Sequence, residues 1–450
     1  MANNSANQAE SLRPQEERIF NSVSYFLMWI GGCIAIAVFT VGSSLVGQLN
    51  LLQIVTALLV GTIIIAACLV VNGHAGHVYG IPYTIQLRSS FGVKGAKIPG
   101  MIRAVPAVVW FGFQTWVGAE ALNAVCFTLF KFDNVAICYV GFTILQIVLS
   151  MTGFKGIKWI EDAGSICIIV ALVYMFYSVV TKYGIQLQEN VINIKGSWGL
   201  AFWGGSVAFV GQYSTTMLNV SDLSRQYKKE GKRGIMGMIY WLSIGPAFML
   251  MGLTGLIVTA ATGVIDPIGV FTSAIENPIL LVFTLLFIIF AQITTNVVNN
   301  IVPPVYVLMD ACKKMNYKLA VVAVGILSFC TFPWKLVTPE SAAGLNLFIR
   351  LYSCFLGPIF AVMVTDYYCI RRKKLNLEVL YDENGPIKGI NWAAIIAIAV
   401  GAAAALLETH LAWYSSLIPS AAVYYILMRY TGIGKSFLIG SAFEKKGEML

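Results

Sequence analysis

Two apolar stretches carry side chains able to hold a flat polar molecule and a small cation. In VVWFGFQTWVGAE, Val108 to Glu120, Trp110 and Gln114 are spaced i, i+4 and so project from one face of a helix. An indole offers a π surface on which a planar ring can stack. A glutamine amide offers donors and an acceptor that match the N–H and C=O edge of a ureide or nucleobase. The structural alternative is that Trp110 packs on a neighbouring helix while Gln114 bonds another helix across a bundle.

The second stretch is AQITTNVVNNIVPP, Ala291 to Pro304. Threonine hydroxyls in a helix lie near the carbonyls three or four residues back. Thr294 and Thr295 therefore bring two hydroxyls close to the Ala291 carbonyl, a cluster of hard oxygens. A small cation fits there if an unwound helix supplies further carbonyls; back-bonding of each threonine to its own helix is the alternative. Asn296, Asn299 and Asn300 follow. Three amides this close together are costly in hydrocarbon unless they face a partner or a cavity.

The elements that position these residues are membrane helices. Of 450 residues, 58% are hydrophobic and 11% charged, where a globular chain would carry about 25% charged residues. Apolar runs of bilayer-spanning length fall near 23–47, 51–72, 100–130, 135–153, 160–181, 198–220, 235–262, 278–301, 318–334, 342–366, 390–407 and 411–430. The fold class expected is an all-α polytopic membrane protein with twelve spans. The first twenty residues are polar and lack the apolar stretch of a cleavable signal, so the first membrane helix is expected to be its own insertion signal.

With the N-terminus inside, all of the 30 Lys and Arg except Lys131, Lys182, Lys195, Lys335 and Arg350 fall on the cytoplasmic side. That bias predicts a cell-membrane protein with both termini cytoplasmic. It also explains the net charge of +9 without nucleic acid. An odd number of traverses, five, means that helices six to ten repeat the first five upside down. Trp29, Gly31 and Gly32 in the first helix are echoed by Trp203, Gly204, Gly205 and Gly211 in the sixth. Glycine interruptions at matching places in inverted halves point to a midplane transport site, although glycine also serves close helix packing.

WFGFQTWVGA with GIPYTIQLRSSFGVKGAKIPG upstream, AQITTNVVNNIVPP, and DYYCIRRKKLNLEVLY followed by GINWAA together resemble the nucleobase–cation symporter-1 family over about residues 20–430. The resemblance implies a leucine-transporter-like fold that works by alternating access. Its parts would be an N-terminal tail (1–22), inverted five-helix repeats (23–182 and 183–366), two additional helices (367–430) and a C-terminal tail (431–450). It implies that Trp110 stacks on the substrate, and that Gln114 and Asn300 bind it. Thr294, Thr295 and the Ala291 carbonyl would hold sodium with the carbonyls of Gly31 and Ile34 from the broken first helix.

The chain departs from that pattern. Tyr213 stands in the place of a second stacking tryptophan, Gln212 replaces a small residue, and Ala35 replaces an amide found in several members. The polar decoration thus moves from the first helix to the sixth. The function implied is sodium-coupled import of a planar nitrogenous heterocycle by a monomer in lipid. Allantoin, hydantoin and uracil-like ureides rank ahead of cytosine or a purine. Proton coupling of the same substrates, or an ion-independent facilitator or channel, are the rival readings.

Glu120 and Arg350 are expected to approach across the outward vestibule as an external gate; Arg350 snorkelling to the interface, or Glu120 as a proton site, are the alternatives. His74 and His77, spaced H-x-x-H, lack acidic or thiol partners and are not read as a metal site. The nine cysteines lack ligand spacing and are read as reduced packing residues. Asp222, Asp310 and Asp366 are read as topological or loop-pairing residues. No nucleophile triad, paired carboxylates or phosphate loop appears in a plausible context, so no enzyme and no cofactor beyond the coupling ion are expected.

Overall fold

The computed structural model describes residues 10–34, 36–151, 177, 180–229, 235–264, 267–275, 277–336, 342–439, 441 and 443. The expected span at 160–181 lies almost wholly outside these residues. The chain is helical. Helix α1 (Ser22–Cys33) is capped by the Asn21 side chain and stops where Ile34 leaves helical geometry at φ −82°, ψ 70°. Helix α2 (Ile36–Ser44) continues at 46° to it. The first span is therefore broken just after Gly31 and Gly32, the first-helix half of the expected pair of interruptions.

Helix α3 (Leu51–Tyr79) begins with a reciprocal Asn50–Gln53 capping box and ends on Gly80 at φ 73°, a left-handed turn that glycine adopts without a Cβ penalty. A buried helix, α4 (Tyr83–Phe91), precedes α5 (Lys97–Phe130) and α6 (Val135–Met151), whose axes meet at 118°. The second half contains α7 (Leu200–Ser224), α8 (Ile235–Thr262) and α9 (Pro278–Asn296). It continues through α10 (Val302–Ala311), α11 (Tyr317–Phe329) and α12 (Ala342–Thr365). Helices α13 (Trp392–Leu407) and α14 (Ala412–Tyr430) pack together and against α12.

Two expectations are corrected. The ninth span is shorter than 318–334, because α11 ends at Phe329 and Phe332 turns left-handed (φ 49°) before Pro333. The sixth span is continuous through Gly204, Gly205 and Gly211, and its one non-helical residue is Asn219. Its glycines serve close packing instead. A Cβ on Gly211 would lie 2.6 Å from the Ser353 hydroxyl, and one on Gly204 would lie 3.1 Å from the His410 ring.

Between α9 and α10, Val297–Ile301 forms a π-helical turn. Pro303 and Pro304 have no N–H to offer the carbonyls of Asn299 and Asn300 four residues back, which frees those carbonyls for other partners. Five of the described helical segments are long and apolar enough to cross a bilayer, among them Leu51–Tyr79 and Pro278–Ala311. Large apolar side chains such as Leu52, Ile63, Met238 and Ile418 stand exposed on them. An exposed apolar surface of this extent calls for lipid.

Candidate substrate and cation site

Trp110 is buried on α5, and its indole N–H donates to the Tyr352 hydroxyl of α12 at 3.2 Å. Its ring meets Phe113 edge-on at 5.4 Å. Gln114, one turn further along, is buried, and no described group hydrogen-bonds its amide oxygen. Gln212 on α7 has the same property. Beside it, the Tyr213 hydroxyl lies 3.4 Å from the Cys33 thiol at the end of α1. The Tyr213 ring packs against Trp29 at 6.2 Å and Phe248 at 5.4 Å.

The eighth span closes the circuit. Asn300 donates to Asn296 at 2.8 Å. Asn296 in turn donates to the Phe111 carbonyl (3.1 Å), the Thr115 hydroxyl (3.0 Å) and the Gln146 amide oxygen (2.9 Å). The contacts thus run from Trp110 through Tyr352 and Ser353 to Gly211, Gln212 and Tyr213. They continue through Cys33 and Gly32 to Asn299, then through Asn300 and Asn296 back to Phe111 and Gln114. Trp110, Tyr213 and Asn300 make contacts within this circuit, and Gln114 and Gln212 join it as helix neighbours of Phe111 and Tyr213.

The expected cation oxygens come together in two pairs. The Thr295 hydroxyl donates across the helices to the Gly31 carbonyl at 3.1 Å. The Thr294 hydroxyl donates within its own helix to the Ala291 carbonyl at 3.1 Å. Ile34 is the residue at which α1 ends, and its N–H turns back to the Ile30 and Gly31 carbonyls. The set is built of neutral hydroxyls and carbonyls, with no carboxylate or thiol in it.

Arg103 was counted with the cytoplasmic charges by its sequence position, but it is fully buried on α5. It donates to the Asn219 amide oxygen at 2.5 Å and to the Asn299 carbonyl at 3.0 Å. The latter is one of the carbonyls freed by the prolines. Arg103 thus ties the kink of α7 to the π turn, and it stands two helical turns before Trp110 on the same face. Its seven-residue spacing from Trp110 was the available signal. Asp222, read as a helix-end charge, is likewise buried, accepting the Tyr83 N–H at 2.8 Å. Asp310 and Asp366 do pair near helix ends, with Arg88 and Arg371.

The expected Glu120–Arg350 pair is not formed. Glu120 accepts from the Trp116 indole at 2.7 Å, four residues back on its own helix. Arg350 donates to the His410 ring at 2.7 Å, and the other ring nitrogen of His410 faces Glu408 at 2.7 Å. The His410 loop between α13 and α14 reaches Arg350 first. His74 and His77 also part company, bonding Tyr367 and Arg18 respectively.

Residues 13–431 match the family described as permeases for cytosine/purines, uracil, thiamine and allantoin. The chain belongs to this permease family. It is 26% identical to a hydantoin permease of Microbacterium maritypicum, covering 96% of this chain and 90% of the relative. It is 28% identical to an allantoin permease of Bacillus subtilis, covering 92% and 91%. The solved structure of Mhp1, a nucleobase–cation-symport-1 family transporter closed around bromovinylhydantoin, superposes with TM-score 0.86 at 25% identity over 96% of this chain and 97% of that one. The permease is therefore a multi-pass membrane transporter of the nucleobase–cation symporter-1 family and not an enzyme.

Proposed function

We propose that the permease imports a planar nitrogenous heterocycle by sodium-coupled alternating access. The observation that carries the reading is the Thr295–Gly31 contact at the break of the first span, beside the circuit that holds Trp110, Gln114, Gln212, Tyr213 and Asn300. Neutral oxygens from a broken helix and its neighbour suit a small monovalent cation. Sodium would be held by the carbonyls of Gly31, Ile34 and Ala291 and the hydroxyls of Thr294 and Thr295. It would supply positive charge that favours one arrangement of α1 against α9. Because Tyr213 contacts Cys33 and Asn300 lies on the same span as the threonines, ordering either site orders elements of the other, which is what reciprocal coupling requires.

Trp110 offers the stacking face, and the amides of Gln114, Gln212 and Asn300 read the ring edge. The hydantoin and allantoin permease relatives support a hydantoin, allantoin or uracil-like ureide ahead of cytosine or a purine. The architecture that goes with this reading has twelve spans. Inverted repeats at 23–182 and 183–366 are followed by two further helices within 367–430, in a lipid-embedded monomer. The tails, 1–22 and 431–450, would both be cytoplasmic. A thermal-shift screen of purified protein against ureides, pyrimidines and purines, with and without sodium, tests it. Stabilisation by a ureide that grows with sodium supports the reading, and indifference to every ring refutes it.

A further inference from the structure

We propose that Asn296 is a positioning residue that fixes the Asn300 amide with its oxygen toward the substrate, so that the site demands an N–H donor at that edge of the ring. The inference rests on the substrate reading above and adds a polarity to it.

The direction of the chain is set by an atom that can only accept. The Phe111 carbonyl receives the Thr115 hydroxyl at 2.6 Å and the Asn296 amide nitrogen at 3.1 Å. Turning the Asn296 amide over would set oxygen against oxygen. Thr115 spends its one proton on Phe111, so it must accept from both Asn296 and the Gln146 amide nitrogen, at 3.0 and 3.1 Å. The Gln146 oxygen then faces Asn296 and accepts a hydrogen bond from its amide nitrogen at 2.9 Å. With its two N–H groups shared among these three oxygens, Asn296 presents its oxygen to Asn300, whose nitrogen lies 2.8 Å away. The Asn300 oxygen, on the other arm of the same amide, is directed away from Asn296, and no described group hydrogen-bonds it.

Gln114 and Gln212 differ. No described group holds either amide in one sense, so each turns to suit a donor or an acceptor on the ring. One fixed acceptor among adaptable amides makes Asn300 the position that discriminates. A site built to hydrogen-bond a substrate N–H rejects analogues lacking it far more strongly than an apolar pocket rejects a change of size.

The test is competition binding to the purified full-length permease. Allantoin, uracil and hydantoin are measured first. Oxazolidine-2,4-dione and succinimide follow, in which a ring oxygen or CH2 replaces one hydantoin N–H, then 3-methylhydantoin, in which the other is blocked. The wild type should lose roughly ten- to hundredfold for at least one replacement, the cost of an unsatisfied buried acceptor. In Asn296→Ala the Asn300 amide is free to turn, and the same penalty should shrink to about threefold or less while hydantoin itself binds more weakly. Asn296→Ser serves if the alanine variant does not fold, and Asn300→Ala, which should erase the same penalty, serves if neither does; a penalty retained in Asn300→Ala overturns the proposal. A uniform loss across all ligands in the variant, or a wild type indifferent to every replacement, overturns the proposal. Failure of all three parent rings to bind overturns the substrate reading itself and the inference with it.

Discussion

The Thr295 hydroxyl reaches the Gly31 carbonyl across 3.1 Å, joining the eighth span to the first at the point where the first stops being helical. Neither partner alone makes a cation site. Thr295→Ala combined with Thr294→Ala should abolish sodium stimulation of binding while substrate still binds in sodium-free buffer. Titrating sodium against a fixed ureide concentration checks this. An unchanged sodium response in the double variant would remove these oxygens from the account.

Trp110→Ala should weaken substrate affinity about ten- to hundredfold, because stacking on an aromatic side chain is worth roughly 1–3 kcal/mol. Trp110→Phe should lose less, keeping a face to stack on but not the bond to Tyr352. Equilibrium binding with matched melting curves separates lost stacking from lost fold. An alanine variant that binds like the parent would exclude Trp110 from the site.

Arg103→Ala should cost about 2–6 kcal/mol of stability, since each buried acceptor left without a donor costs roughly 1–3 kcal/mol. The stranded groups are the Asn219 amide and the Asn299 carbonyl. Arg103→Lys keeps the charge but not the planar fork that reaches two helices at once, and its melting temperature should fall between those of the parent and the alanine variant. Fluorescence melting in detergent measures this; a lysine variant as stable as the parent would show that the fork is dispensable.

Acidification should weaken the contact of Glu408 with His410, which in turn holds Arg350. Arg350 only donates, so the ring nitrogen it faces at 2.7 Å accepts, and the other carries the proton to Glu408. The His410 backbone N–H, and then its ring, hold the exposed Glu408 carboxyl below the usual carboxylate range. A depressed carboxyl stabilises above its ordinary value and loses that contribution as pH falls through the folded one. The Glu408–His410 contact is therefore retained at neutral pH and lost as pH falls through the depressed carboxyl range. Uptake measured over external pH at constant sodium gradient should change with acidification in the parent and less so in His410→Gln. Identical pH profiles would contradict this.

What the sequence made legible was local. The bounds 235–262 of the seventh span coincide with α8, Ile235–Thr262, because its apolar run has sharp edges. The break after Gly31–Gly32 and the i, i+4 pairing of Trp110 with Gln114 also follow from near neighbours. What it hid was long-range. The glycines of the sixth span look like an interruption until Ser353 and His410 are seen packed against them. Arg103 looks like a loop charge until Asn219, on another helix, is seen to hold it. Arg350 looks like a gate partner of Glu120 until a histidine from a loop sixty residues later is seen to hold it.

The most direct test of the central claim is equilibrium binding of hydantoin, allantoin and uracil to the purified permease at zero and saturating sodium, at constant ionic strength. The account predicts that at least one ring binds more tightly with sodium, and that sodium binds more tightly with that ring by the same factor. Ring binding that is identical with and without sodium, or no ring binding at all, would contradict it.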